Sequence, residues 1–188
     1  MSEEHPNQRR LQGSEYVDDT GAADPGLLAA LQRYAAEPTH PDGYPGVLQA
    51  LAAARLLVPV VAVLGESEVG EDGLERDKSS DMAAVLLTGA DGRMALLAFT
   101  STASLTGWDP DARPVPVAAH LAAATAVQEG ASALVVDLAG PATFVVEGED
   151  LHRLASGWRP VRLEDGSWGW LGTPPDGSLD SAAGEETG

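Results

Sequence analysis

The chain has 188 residues, of which 44% are hydrophobic, and it carries a formal net charge of −18 at pH 7. This charge disfavours binding to nucleic acid or to an anionic membrane surface, because both need clustered basic residues and only 11 Lys and Arg are present. Cysteine is absent, which excludes disulfides and thiolate chemistry, and a cytoplasmic location is predicted.

The first predicted elements are a polar leader, two helices and a strand. Residues 1–23 are polar without periodicity, and they are predicted to form a disordered leader. Asp24-Pro25 predicts a helix start, a second helix begins near Pro45, and the apolar spacing of both predicts that they pack on the same side of a sheet. Leu56–Leu64 is predicted to be a strand that is half the length of a membrane span. Because Pro59 lacks an N–H, this strand is predicted to lie at a sheet edge or to place its proline on the unpaired side.

The middle of the chain predicts a loop followed by a buried hairpin. Residues 65–80 hold six carboxylates and few apolar residues, so a long loop is predicted, with disorder favoured over a functional lid. Met82–Leu87 and Arg93–Phe99 are apolar on both faces and are joined by a turn containing Asp91-Gly92. They are therefore predicted to form a hairpin that is buried on both faces.

The second half of the chain predicts alternating helices and strands that complete one domain over residues 24–172. Thr100-Ser101 predicts the cap of a short helix that ends near Trp108. Further segments are predicted as an extended stretch, a helix, two strands, a short helix and a hairpin: Arg113–Val117, Ala118–Glu129, Ala133–Leu138, Thr143–Glu147, Leu151–Ala155, and Trp158–Leu163 with Ser167–Leu171. Residues 173–188 are predicted to be a disordered acidic tail. The predicted fold class is α+β, a mixed sheet of about five strands with four or five helices.

Three consecutive motifs carry a family resemblance. S-D-M-A-x-V begins at Ser80, G-R-x-A-L-x-A-F-T-S begins at Gly92, and W-x-P-x-A-R-P-V-P-V begins at Trp108. Together they resemble the N-terminal domain of the bacterial SseB family, and the similarity runs from about Leu27 to Leu154. This resemblance implies a compact α+β domain with no agreed enzymatic activity and no agreed catalytic residues. The acidic segment and the Trp-containing C-terminal end are not part of the pattern.

Candidate catalytic residues are few. No nucleotide-binding, nucleophile-elbow or zinc-protease motif is present, and four scattered histidines lack ligand spacing, so neither a metal site nor a cofactor is predicted. Asp137 follows an apolar strand, where ligands often gather, but a carboxylate that caps the following turn through Gly140 is the favoured interpretation. Ser101, with Thr100, is a conceivable nucleophile or simply a helix cap, and His120 is a conceivable base or an exposed helical histidine.

Trp108, Asp109 and Arg113 are a candidate recognition surface, because Trp and Arg are frequent at binding hot spots. The structural alternative is that the indole fills the core and that Asp109 and Arg113 form an ion pair across the proline turn. The predicted function is a non-enzymatic module that binds another protein. The alternative is a small enzyme or small-molecule sensor with a carboxylate-based site near Asp137. A pocket with convergent polar groups favours the alternative, whereas a flat apolar patch with Trp108, Trp168 or Trp170 favours protein binding.

Overall fold

The computed structural model describes residue 16 and residues 18–63, 81–138 and 140–172. The predicted acidic loop 65–80 and the predicted tail 173–188 lie outside the described residues. The described helices are α1 Pro25–Ala36, α2 Gly43–Ala52, α3 Thr102–Trp108, α4 Ala119–Gln128 and α5 Gly148–Ala155. The described strands are β1 Arg55–Val63, β2 Asp81–Ala84, β3 Leu86–Thr88, β4 Met94–Ala98, β5 Arg113–Ala118, β6 Ala133–Val136, β7 Phe144–Glu147, β8 Arg159–Arg162 and β9 Trp168–Leu171.

The strands form two linked sheets and a separate hairpin. One sheet has the order β2-β1-β5 and the other the order β3-β4-β6-β7, in which β4 and β6 are parallel and the other pairs antiparallel. Leu57 and Phe99 join the two sheets by exchanging two backbone hydrogen bonds of 2.8 Å. The α+β prediction is confirmed. The strands are shorter and more numerous than expected, because the chain bends at Val85 and serves one sheet as β2 and the other as β3.

Most helices cover one face of the joined sheets. Residues of α1, α2, α4 and α5 share one buried cluster with strand residues such as Leu96, Leu134 and Val136. The prediction that the first two helices pack on the same side is therefore confirmed. The opposite face carries a smaller cluster that includes Leu97, Phe99 and Leu105 of α3. Among the described helices, α3, which directly follows β4, therefore packs on the opposite face of the joined sheets.

The central hairpin differs from its prediction in one strand. β3 and β4 pair antiparallel, with Leu86 opposite Leu96, so the hairpin itself is confirmed. Burial of both faces holds at the end of β4 but is wrong for β3, where Leu87 is 41% exposed. The reason is position, since β3 is the edge strand of its sheet.

Of the two predicted positions for Pro59, the structure has the one inside the sheet, and β1 is not an edge strand. β1 lies between β2 and β5, so the edge-strand alternative is wrong. Pro59 lies opposite Pro114 of β5, and two residues without an N–H therefore face each other in the ladder. The Pro59 carbonyl accepts from the Val85 N–H at 3.0 Å, so the main-chain N and O of Pro59 are directed away from β5.

Candidate functional site

A cleft of about 760 Å³ opens where β4 and β6 end. The two strands are parallel, so their carboxyl ends meet at one edge of the sheet, where ligands commonly bind in α/β folds. Four groups of described residues line this cleft, which we call the β4–β6 cleft: residues 20–23, one side of α1, the start of α3, and residues 137 and 140–142.

Asp137 lies at the floor of the cleft and is only 6% exposed. Its Oδ1 accepts a hydrogen bond of 2.9 Å from the backbone N–H of Thr100, and its Oδ2 accepts one of 2.7 Å from the Thr100 hydroxyl. Asp137 is also the one non-glycine residue in the described part of the chain with a positive φ, at +54°. The expected turn cap by its carboxylate is wrong, because Gly140 N–H donates to the backbone carbonyl of Asp137 at 2.9 Å instead.

Ser101 and Thr100 both come to the cleft, but their hydroxyls are engaged. Ser101 is the N-cap of α3, and its Oγ accepts from the N–H of Ser104 at 3.1 Å in a reciprocal capping box. The helix-cap interpretation of Ser101 therefore describes its contacts. His120 lies on the first turn of α4 and is not among the residues that line the cleft. Of the three candidate catalytic residues, the fold brings Asp137 and Ser101 together and leaves His120 apart.

The N-terminal wall of the cleft is held by a buried ion pair. Arg55 Nε lies 2.5 Å from Asp19 Oδ2, and the two side chains are 13% and 12% exposed. The same guanidinium donates to the carbonyls of Thr100 at 2.9 Å and Ala22 at 2.8 Å. Gly21 has a φ of +75°, its carbonyl accepts from Thr102 N–H at 2.8 Å, and an added Cβ would collide with the Thr102 hydroxyl.

These contacts fall within the predicted leader of residues 1–23. The described part of that segment, residue 16 and residues 18–23, includes the Asp19 side chain and the Ala22 carbonyl, both of which Arg55 binds. Residues 1–15 lie outside the described residues, and the domain boundaries stay a prediction. Sequence reasoning missed Asp19 and Arg55, which lie 36 residues apart, because no local pattern relates them.

The candidate recognition group is dispersed. Trp108 is half-buried and stacks on Phe99, with ring centroids 5.4 Å apart. Asp109 accepts from the N–H of Asp111 at 2.9 Å, and among the described residues no ion pair joins it to the exposed Arg113. The predicted ion pair across the turn is wrong, because Asp109 closes its own turn. The recognition role of the three residues stays a prediction.

The tryptophans of the β8–β9 hairpin turn toward the helices. Trp168 Nε1 donates to Asp42 Oδ1 at 2.9 Å, and Arg162 both pairs with Asp42 and lies 5.3 Å over the Trp168 ring. The hydrogen bond from Arg162, followed by the one from Trp168, holds the pKa of Asp42 below its ordinary value of 3.8. Trp170 is half-buried against the main core. Neither indole therefore forms the flat exposed patch that was considered for protein binding.

A second hollow, of about 280 Å³, lies between α1 and α2. Its lining mixes charges of both signs, including Arg33, Glu37 and Asp42, and Asp42 is already occupied by Arg162. We prefer the β4–β6 cleft as the candidate site, since it combines a larger volume with a buried carboxylate at the ends of parallel strands. Within the described ranges, no group of three His, Asp or Glu side chains could hold a metal ion, and no helix is both long and apolar enough to cross a bilayer.

Comparison with known proteins gives one finding. A family model described as the SseB protein N-terminal domain matches residues 27–153, which is more than half of the chain. The match includes α1 and the strands and turns of the cleft floor, whereas Asp19 and the β8–β9 hairpin lie outside it. No curated protein and no solved structure matches the chain.

Proposed function

The chain belongs to the SseB family, and from this premise we propose that its domain is a non-catalytic module, acting in the cytoplasm, that binds a segment of another protein in the β4–β6 cleft. One observation carries the proposal: the cleft offers a large, mainly apolar surface, and the hydroxyls of Thr100, Ser101 and Ser104 that line it are hydrogen-bonded within the fold. Leu28, Leu31, Ala35 and Ala142 supply apolar wall, and Leu28 remains 40% exposed. Exposed apolar surface in a concave site supports binding.

The hydrogen bonding of the cleft favours binding over turnover. A catalytic hydroxyl needs a base that is free to take its proton and a third group that orients that base. The Ser101 hydroxyl is used in the α3 cap, and neither His120 nor another histidine lines the cleft. These contacts support a rigid receptor for a ligand.

A second candidate function rests on the Thr100–Asp137 contact. The hydroxyl and the carboxylate are 2.7 Å apart, which is the distance expected between a nucleophile and its base. This pair favours a small enzyme or a small-molecule sensor in the same cleft. Thr100 is only 3% exposed, however, and its main-chain N–H binds the same carboxylate. We rank this candidate second because the Thr100 hydroxyl and N–H are both used to hold the Asp137 carboxylate in place.

The test uses two matched leucine variants. Leu28 on α1 lines the cleft, whereas Leu121 on α4 does not, and the two are similarly exposed at 40% and 44%. Wild type, Leu28→Arg and Leu121→Arg would each serve as bait for capture from a native cytoplasmic extract, followed by a binding measurement with the purified captured protein. We expect wild type and Leu121→Arg to bind the same protein with similar affinity. We expect Leu28→Arg to bind that protein at least tenfold more weakly.

Two outcomes oppose the proposal. A captured protein that binds Leu28→Arg as well as wild type places the interface elsewhere. Turnover in a broad hydrolase and transferase screen that wild type shows and Asp137→Asn lacks favours the enzyme candidate instead.

A further inference from the structure

Asp137 is a buried carboxylate without a cationic partner. None of the ion pairs formed by the described residues includes it. From the described residues its two oxygens accept two hydrogen bonds, both from Thr100, although a carboxylate can accept about four. Taking a carboxylate out of water is costly unless its charge is compensated. The floor of the cleft therefore offers a fixed negative charge with acceptor capacity left over.

The nearest described cation does not fill this role. Arg55 approaches the same region, but its guanidinium is bound to Asp19 and to the carbonyls of Thr100 and Ala22. Among the described residues that line the cleft there is no Lys, Arg or His. Since no described cation pairs with Asp137, its charge would attract a cationic ligand to the cleft and repel an anionic one.

The walls of the cleft fit the stem of a long basic side chain. Leu28, Leu31 and Ala35 of α1 line the cleft together with Ala142 and Asp137. Lys and Arg place aliphatic stems along apolar surfaces and extend their charged ends to polar groups. The net charge of −18 adds long-range attraction for a basic ligand.

From this charge complementarity we propose that the β4–β6 cleft receives an arginine or lysine side chain of the bound protein segment, with its charged nitrogen at Asp137. This inference rests on the proposed function and names the chemistry of the partner. The Thr100 hydrogen bonds orient the carboxylate, and α1 provides the apolar contact for the stem. Asp137 then selects partners by charge, and Leu28 lies at the position where the segment enters.

The test compares two small probes that differ in charge and share a shape. N-acetyl-arginine-N-methylamide and its citrulline counterpart would be titrated separately into the full chain at 0.15 M salt, where exposed charges further apart than about 8 Å are largely screened. Amide resonances of Thr100, Ser101 and Leu28 report on the cleft, and those of Leu121 serve as the reference surface. We expect saturable shifts at the cleft from the arginine probe, with an affinity at least tenfold above that of the citrulline probe.

Asp137→Asn should remove this preference. Asn tolerates the left-handed backbone and keeps an acceptor for the Thr100 N–H, so the variant is expected to fold. If it does not, Leu28→Arg gives a second variant, because its own guanidinium at the mouth of the cleft should compete with the probe. Leu121→Arg is the matched control, and the probe should bind it as it binds wild type.

Several results would overturn the inference. They are equal binding of the two probes, a preference for arginine that persists in Asp137→Asn, or arginine shifts confined to surfaces away from the cleft. The capture experiment and the probe titration can fail independently of each other. A charge preference at Asp137 without any Leu28-dependent protein overturns the protein partner and assigns the cleft to a small cationic molecule. A Leu28-dependent protein whose affinity is unchanged by Asp137→Asn overturns the cationic contact and leaves the proposed function standing.

Discussion

Asp137 combines three features that rarely coincide in one residue: burial, a positive φ and an ionisable side chain. A non-glycine residue at φ +54° costs roughly 1 kcal/mol of backbone strain, and such residues persist where surrounding contacts hold them. Thr100, which follows the neighbouring parallel strand β4, fixes the Asp137 side chain by two hydrogen bonds, one from its N–H and one from its hydroxyl. Sequence alone places Asp137 at a strand end. Its partner, 37 residues away, follows only from the parallel pairing of β4 with β6.

Replacing Thr100 by Val should therefore destabilise the fold more than its small change in shape suggests. The valine keeps the backbone N–H donor to Oδ1 but leaves Oδ2 of a buried carboxylate without its hydroxyl donor. We expect the free energy of unfolding to fall by about 1–3 kcal/mol, and Thr100→Ser to recover most of the loss. Urea denaturation followed by circular dichroism measures both.

Thr125→Val is the matched control for this change. The Thr125 hydroxyl donates to the carbonyl of Leu121 within α4, at 2.9 Å and in an exposed position. Its loss should change stability by no more than about 0.5 kcal/mol. Equal effects of the two valine variants would show that the Thr100 hydroxyl does not support the carboxylate.

At the scale of elements, the sequence predicts what local patterns determine. The Asp24 cap of α1 and the Ser101 cap of α3 are both observed, each accepting from a backbone N–H three residues on. The β8–β9 hairpin is also observed, with Arg162 opposite Trp168. What it packs against was not predictable, because Asp42 and Trp168 are 126 residues apart and Asp42 alone resembles an ordinary turn residue.

The contact of Asp42 with Arg162 and Trp168 should make the attachment of the hairpin sensitive to acid. The pKa of Asp42 lies below its ordinary value of 3.8 because Arg162 and then Trp168 hydrogen-bond to the charged form. A carboxylate with a depressed pKa stabilises the fold above its unfolded-state pKa, and it loses that contribution as the pH falls through the folded-state pKa. The attachment is therefore complete at neutral pH and weakens below about pH 4.

The Trp168 indole N–H resonance reports this attachment directly. In wild type it should hold its position from pH 7 to about pH 4 and shift below, whereas in Asp42→Asn it should be shifted already at pH 7, with faster amide exchange in β8 and β9. Asp165→Asn is the control, because the pKa of Asp165 is also lowered, by Ser167, but its contacts lie within the hairpin turn. A resonance that moves equally in both variants would remove Asp42 from the attachment.

At the scale of the whole molecule, the cleft is assembled from segments that are distant in sequence. Residues 20–23 form one wall, α1 another, and the carboxyl ends of β4 and β6 the floor. Each segment has a recognisable local pattern, apart from residues 20–23, which end the predicted leader, whose polar composition is typical of disorder. Composition does not reveal the contacts of this segment, because they are a buried ion pair of the neighbouring Asp19 and main-chain hydrogen bonds of Gly21 and Ala22, not apolar burial. The sequence therefore predicts the strand ends that form the floor of the cleft and the helix α1. It does not predict that these segments and residues 20–23 meet in one cleft.

Removing the carboxylate of Asp19 should then affect both stability and the shape of the cleft. In Asp19→Ala, Arg55 stays largely buried, at 13% exposure of its side chain, with its charge bound only by the carbonyls of Thr100 and Ala22. Breaking a buried pair from one side is costly, and the remaining carbonyl contacts offset part of the cost, so we expect the free energy of unfolding to fall by about 2–4 kcal/mol. Amide exchange at Thr102, whose N–H donates to the Gly21 carbonyl, should accelerate more than exchange at Leu134 in the core. Asp18→Ala is the control, since Asp18 is exposed and one residue away, and it should change neither measurement. If Asp19→Ala and Asp18→Ala behave alike, Arg55 does not hold the N-terminal wall, and residues 20–23 are then bound through Gly21 and Thr102 alone.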